Sequence, residues 1–163
     1  MPMKVLEPDA SIREHVIALL NSGNAHVKFD DAIDGMPAKL VGVRPAGLPY
    51  SAWEQLEHIR IAQWDILDFS VNPKYAALEW PKAYWPESPE PPSAAAWGKS
   101  VQQVRADLEE MIALVRNSKT DLYAKIPWGD GQTILREALL VADHNAYHVG
   151  ELVAVRRLLG AWK

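Results

Sequence analysis

The sequence predicts an all-α domain: a four-helix bundle with long ordered loops between the first and second helices and between the second and third. Three observations lead there. Four long stretches repeat apolar residues at helical spacing, each opening on a Ser or Thr that can cap a helix. Strand-type alternation is nowhere sustained. No internal repeat divides the chain, so residues 1–163 read as a single domain. Amphipathic helices in this number bury their apolar faces against one another.

The first helix is expected to open at the capping box Ser11-Ile12-Arg13-Glu14, where Ser11 accepts from a free amide and Glu14 reaches back. Ile12, Val16, Leu19 and Leu20 carry its apolar face, and the run extends past Gly23, a weak point, to about Ile33. Gly35, Pro37, Gly42, Pro45, Gly47 and Pro49 mark an irregular connection. A second capping box, Ser51-Ala52-Trp53-Glu54, starts a helix that runs to about Val71, before Pro73. From Asn72 to Pro92 prolines forbid helix while Trp80, Tyr84 and Trp85 favour burial, which predicts an ordered loop lying on the bundle. Ser93 is expected to cap the third helix, whose Val101, Val104, Leu108, Met111, Ile112 and Val115 recur at helical spacing to about Asn117. Trp128-Gly129-Asp130-Gly131 is a turn, and Thr133 caps a last helix to about Leu159. That helix is apolar on two sides, because Leu135, Leu139, Ala142, Val149 and Val153 oppose its histidine face. Either the long loops cover the second side or another subunit does, which suggests a homodimer.

Composition narrows the chemistry. The 163 residues are 48% hydrophobic and 23% charged with a net charge of −4, an ordinary globular balance with enough apolar residues for a core. No cysteine is present, so disulfides, thiolate–metal ligation and an intrinsic thiol nucleophile are excluded. The acidic pI of about 5.7 without a long Lys/Arg run argues against a nucleic-acid partner. Met1-Pro2-Met3-Lys4 does not lead into an apolar segment of signal-peptide type, and no apolar stretch reaches the roughly 18 residues of a membrane span. A cytoplasmic protein with no membrane partner is the expectation.

The chemistry concentrates in Asp143-His144-Asn145-Ala146-Tyr147-His148. Two histidines four apart share one helix face. At about 100° per residue, Val141, Leu152, Val155 and Leu159 project within about 60° of His144, so both imidazoles face the core. Two ring nitrogens one turn apart can chelate one metal ion. His58, early in the second helix, lies on an arc with Ala62, Ile66 and Phe69, and facing helices of a bundle commonly assemble such sites. Together His58, His144 and His148 would supply three neutral nitrogens and leave open positions on the ion, a catalytic pattern. The plainer alternative is that each is a hydrogen-bonded core residue, and His15 and His26 are read as structural or surface residues. The His144-x-x-x-His148 spacing is that of zinc proteases, but Asn145 stands where their general base, Glu, would be, which excludes that class. Glu151, one turn past His148, is the first candidate for a catalytic acid or base; Glu54 and Asp65, flanking His58 along its helix, are others.

These motifs resemble the DinB-like (damage-inducible, YfiT-type) superfamily of four-helix metalloenzymes, which is unrelated to the DNA polymerase of the same name. The resemblance rests on Ser51-Ala52-Trp53-Glu54-Gln55-Leu56-Glu57-His58, Gln63-Trp64-Asp65-Ile66-Leu67, Tyr84-Trp85-Pro86, Asp143-His144-Asn145-Ala146-Tyr147-His148, and the run from Gly131-Gln132-Thr133 to Ala161-Trp162. It covers essentially the whole chain. It implies His58, His144 and His148 as ligands of a divalent metal, zinc or nickel, with water completing the shell. Family members often carry Gln where this chain has Glu151, so an extra carboxylate near the metal is implied here. Characterised relatives include metal-dependent transferases that use low-molecular-weight thiols such as bacillithiol or mycothiol.

Four functions compete on this basis. A metal-dependent transferase would take its thiol as a cosubstrate, since the chain has none, and the metal would deprotonate it. A metal-dependent hydrolase would use the same ion to lower the pKa of bound water to about 7. A non-catalytic stress protein would bind metal or a small molecule without turnover. A purely structural bundle would hold its histidines as core residues and ignore chelators. A wide pocket accepting an anionic thiol favours transfer, and a carboxylate within reach of bound water favours hydrolysis.

Overall fold

The computed structural model describes residues 8–21 and 24–162, and among them it is all-α, with no strand beyond an isolated bridge between Lys125 and Thr133. Five helices follow in order: α1 Pro8–Leu20, α2 Phe29–Ile33, α3 Ala52–Val71, α4 Ala96–Arg116 and α5 Ile134–Leu158. No helix is long and apolar enough to cross a membrane.

The helix starts show which sequence signals act. Ser51 caps α3 as expected: its side chain accepts from the Glu54 amide while the Glu54 carboxylate accepts from the Ser51 amide. Thr133 likewise accepts from the Arg136 amide at the start of α5. The other two signals are not used. In the described residues α1 already runs at Pro8, which places Ser11 inside the helix and away from a cap position. α4 begins at Ala96 with Ala95 as its cap, and Ser93 contributes only its carbonyl, to the Ala96 amide. The single first helix expected to about Ile33 is two pieces, α1 ending at Leu20 and the short α2. Gly23, the expected weak point, lies outside the described residues.

α3 lies at the centre, against α4 on one side and α5 on the other, while α1 packs on α4 and α5 and α2 packs on α5. Leu56, Ile59, Val104, Leu152 and Val155 form one part of the core, and Leu67, Met111, Ile112, Val115 and Val141 another. The second apolar side of α5 is covered from within the chain. Val149 and Val153 cluster with Ala32 and Ile33 of α2, and Ala142 clusters with Val16 and Leu20 of α1. Only Leu139 of that set stays exposed, so this face makes no demand for a second subunit.

The Trp/Pro loop between α3 and α4 is tied down by polar contacts. Ser51 Oγ donates to the Pro89 carbonyl at 2.6 Å, and the phenols of Tyr75 and Tyr84 donate to the Asp65 carboxylate at 3.0 and 2.6 Å. The loop before α5 is held similarly, with Trp128 Nε1 donating to the Phe69 carbonyl at 2.7 Å.

Candidate metal centre

α3 and α5 run side by side with their inward faces in contact, and each brings histidine to the same place. His58 projects from the second turn of α3; His144 and His148 project one turn apart from the middle of α5. One ring nitrogen from each lies within 4.8 Å of the others. The Nε2 atoms of His58 and His144 stand 3.1 Å apart. Two nitrogens bound at about 2.0–2.1 Å to one tetrahedral ion would stand about 3.3 Å apart, so this pair is close to the edge of such a site. His58 is buried and the other two are half-buried.

The outer nitrogens settle the tautomers. His58 Nδ1 lies 2.8 Å from the Tyr84 carbonyl, and His148 Nδ1 lies 2.9 Å from Gln55 Oε1. A carbonyl only accepts, so His58 Nδ1 carries the proton and its Nε2 presents a lone pair; the amide oxygen of Gln55 does the same for His148. His144 Nδ1 is buried with no partner. If His144 donates from Nε2 to His58, that Nδ1 is left as a bare buried lone pair, which is costly. A cation held by one nitrogen from each ring would take the place of the His144–His58 contact, because each neutral ring can offer it a lone pair. The donor set therefore fits a divalent metal.

Stacking holds the rings as firmly as hydrogen bonds do. The Trp85 indole lies parallel to the His58 imidazole, with centroids 3.9 Å apart and planes 2° apart, and Tyr50 stacks on the other side of Trp85 at 4.2 Å. The Trp/Pro loop thus contributes both the acceptor and the flat surface that orient His58.

The site keeps its imidazoles neutral. Burial pushes the pKa of His58 below its ordinary value, partly offset by the Tyr84 carbonyl. Burial and then the neighbouring His58 bring His144 down to about 4, and burial with both neighbours brings His148 down to about 3. Three close imidazoles cannot all be cations, and neutral imidazole is the form that binds a metal.

A cavity of about 290 Å³ opens beside the cluster. Ala62, Ile66 and Leu140 form its aliphatic wall, Trp80 and Tyr84 its aromatic one, and Asp65 its carboxylate. Of the other expected residues, Glu151 is half-buried one turn further along α5 and does not line this cavity. Glu54 is committed elsewhere: besides capping α3 it pairs with Arg44 at 2.5 Å. Burial alone would raise its pKa, but Arg44 and the Ser51 amide outweigh that and hold it below the usual carboxylate range. His15 and His26 are exposed and lie apart from the cluster. Asn145, in the position of the protease base, instead donates to Gln63 Oε1 at 2.7 Å, and Gln63 passes a hydrogen bond to the Val104 carbonyl at 2.7 Å.

Gln55, Tyr84 and Trp85 orient the histidines, yet no spacing rule singles them out for these roles. Gln55 did carry a signal: a carboxamide one turn before His58, on a helix face that is otherwise apolar, needs a buried partner. The Tyr84 carbonyl carried none, since a backbone acceptor is the same in every residue.

The sequence model of the DinB superfamily matches residues 24–152. No curated protein and no solved structure gives a significant match.

Proposed function

This chain belongs to the DinB superfamily, and from that premise we propose that it is a metal-dependent transferase acting on a low-molecular-weight thiol, with zinc or nickel held by His58, His144 and His148. One observation carries the reading. Two of the three imidazoles have Nδ1 committed to an acceptor, which leaves their Nε2 atoms free to bind, in a cluster whose ring nitrogens lie within 4.8 Å of one another beside a cavity of small-molecule size. We read α1, α3, α4 and α5 as the four-helix bundle that frames this site.

When bound, the metal would supply a low-pKa thiolate from a thiol cosubstrate. The chain supplies the rest. Gln55 and Tyr84 hold two ligands in the metal-binding tautomer, and Trp85 prevents His58 from turning. Asn145 Oδ1 and His144 Nδ1 are both buried without a hydrogen-bond partner. Glu151 is kept as an acid/base candidate from its place one turn beyond His148, although Asp65 is the carboxylate on the cavity wall. In the transfer, a bond forms between the thiol sulfur and an electrophilic carbon, the leaving group departs with its electron pair, and the thiol proton passes to a base.

A metal-dependent hydrolase is the second reading, favoured by Asp65 on the wall of the same cavity and by a lining without the Lys or Arg that an anionic thiol would need. One experiment separates the two. Zinc- or nickel-loaded protein is incubated with 1-chloro-2,4-dinitrobenzene and a cysteine-derived thiol, and in parallel with a nitrophenyl ester without thiol. Thioether formation that scales with metal content and disappears in His148→Ala supports transfer. Ester hydrolysis of the same metal dependence supports the hydrolase, and neither activity above background refutes both.

A further inference from the structure

The cavity beside the histidines is chemically one-sided. At about 290 Å³ it falls just below the range of roughly 300–1,000 Å³ for small-molecule sites. Its lining is mostly aliphatic and aromatic, and no Lys or Arg takes part in it. Its one carboxylate, Asp65, is 7% exposed and is satisfied by hydroxyl donors, Tyr75 and Tyr84, with no basic side chain bonded to it.

The surroundings extend the same character outward. Trp80 is 71% exposed and Tyr147 65%, the two most exposed large apolar side chains among the described residues. Both stand at this site. The Trp80 ring packs edge-on to Tyr84 at 5.1 Å, and the Tyr147 ring packs edge-on to His148 at 4.9 Å. Trp80, an exposed aromatic ring on the wall of an apolar cavity, marks a binding rim, because a ligand seated there removes it from water; Tyr147 stands beside the neighbouring ligand candidate, off the cavity wall.

From this lining we infer that the site selects a small ligand whose body is apolar and carries no negative charge, seated against Trp80 with its reactive end toward the histidines. The inference rests on the proposed function only for which end of the ligand is anchored. A carboxylate or phosphate on the body would be buried next to Asp65 with nothing of opposite sign to pair with, which costs both desolvation and like-charge repulsion. A thiol cosubstrate that bears carboxylates must therefore keep them outside the cavity.

The test compares two probes that differ only in the far end: benzyl mercaptan and 4-(mercaptomethyl)benzoate. Cobalt-loaded protein is titrated with each, and binding is read from the sulfur-to-cobalt charge-transfer absorption. The neutral probe is expected to saturate the site at a concentration at least tenfold lower. Trp80→Ala, at an exposed position, should weaken the neutral probe at least threefold without changing metal content, and Asp65→Asn should narrow the gap between the probes. Equal or tighter binding of the carboxylate probe overturns the inference. Protein that does not load cobalt overturns the metal reading instead. The same two probes are then compared on the metal-free protein through the Trp80 indole N–H resonance, where the neutral probe must again bind tighter for the inference to survive.

Discussion

The carbonyl oxygen of Tyr84 lies 2.8 Å from Nδ1 of His58, across 26 residues of sequence. A loop with no helix longer than one 3₁₀ turn, Lys82–Tyr84, therefore decides which nitrogen of a core histidine carries the proton. The same residue anchors the loop in the other direction, its phenol donating to Asp65 at 2.6 Å. Loop, cavity wall and candidate ligand form one connected structure, and each link can be broken separately.

Gln55 is the cleanest link to cut. Its side chain is 1% exposed and accepts from His148 Nδ1 at 2.9 Å. Gln55→Leu removes the acceptor at nearly constant volume and should lower metal affinity by about 10–100-fold, the usual effect of losing a hydrogen-bond partner behind a ligand. Gln55→Glu retains an acceptor and should recover most of it. Competition against a chromogenic chelator measures both, and equal affinity in Gln55→Leu and wild type would show that His148 is not a ligand oriented in this way.

Trp85 supports the site by stacking. Aromatic pairs contribute about 0.5–1.5 kcal/mol each beyond their buried area, and Trp85 makes two such pairs, with Tyr50 and with His58. Trp85→Ala should therefore cost about 1–3 kcal/mol on top of lost burial, measured by urea unfolding of metal-free protein. Trp85→Phe should cost less. An Ala variant as stable as wild type would mean the stack contributes no net stability.

How far the sequence alone reached follows from which interactions are local. The His144–His148 pair is legible because a helix puts residues four apart on one face, and the Ser51 capping box because it is written within four residues. Ser11 and Ser93 carry similar local signals and are not used: Ser11 lies inside α1, and α4 starts three residues after Ser93. Local signals compete, and tertiary packing selects among them. The two-sided apolarity of α5 was also legible, but not its cause. α2, set apart from α1 in the chain, packs back on α5 and covers Val149 and Val153, a contact no periodicity encodes. The orienting partners of the histidines were out of reach for the same reason, since they depend on the path of an irregular loop.

Asp65 also sets an alkaline signature. Burial first, and the hydrogen bond to Asp65 second, raise the Tyr75 phenol to about 12; burial and the same carboxylate raise Tyr84 as well. A phenol whose folded pKa exceeds its unfolded value of about 10 contributes stability that is complete below that pH and lost as pH rises through the folded value. Absorbance of phenolate should thus show a late phase near pH 12 in wild type. In Asp65→Asn that phase should move down part of the way, since burial remains. A late phase that does not move would show that Asp65 does not hold these phenols.

Whether three histidines from two helices hold one metal is decided by elemental analysis of protein purified without a polyhistidine tag, wild type beside His144→Ala. Wild type is expected to hold about one zinc or nickel per chain, and the variant to lose it while keeping its helical content. Background metal in both proteins would contradict that expectation and leave His58, His144 and His148 as core residues of a helical domain.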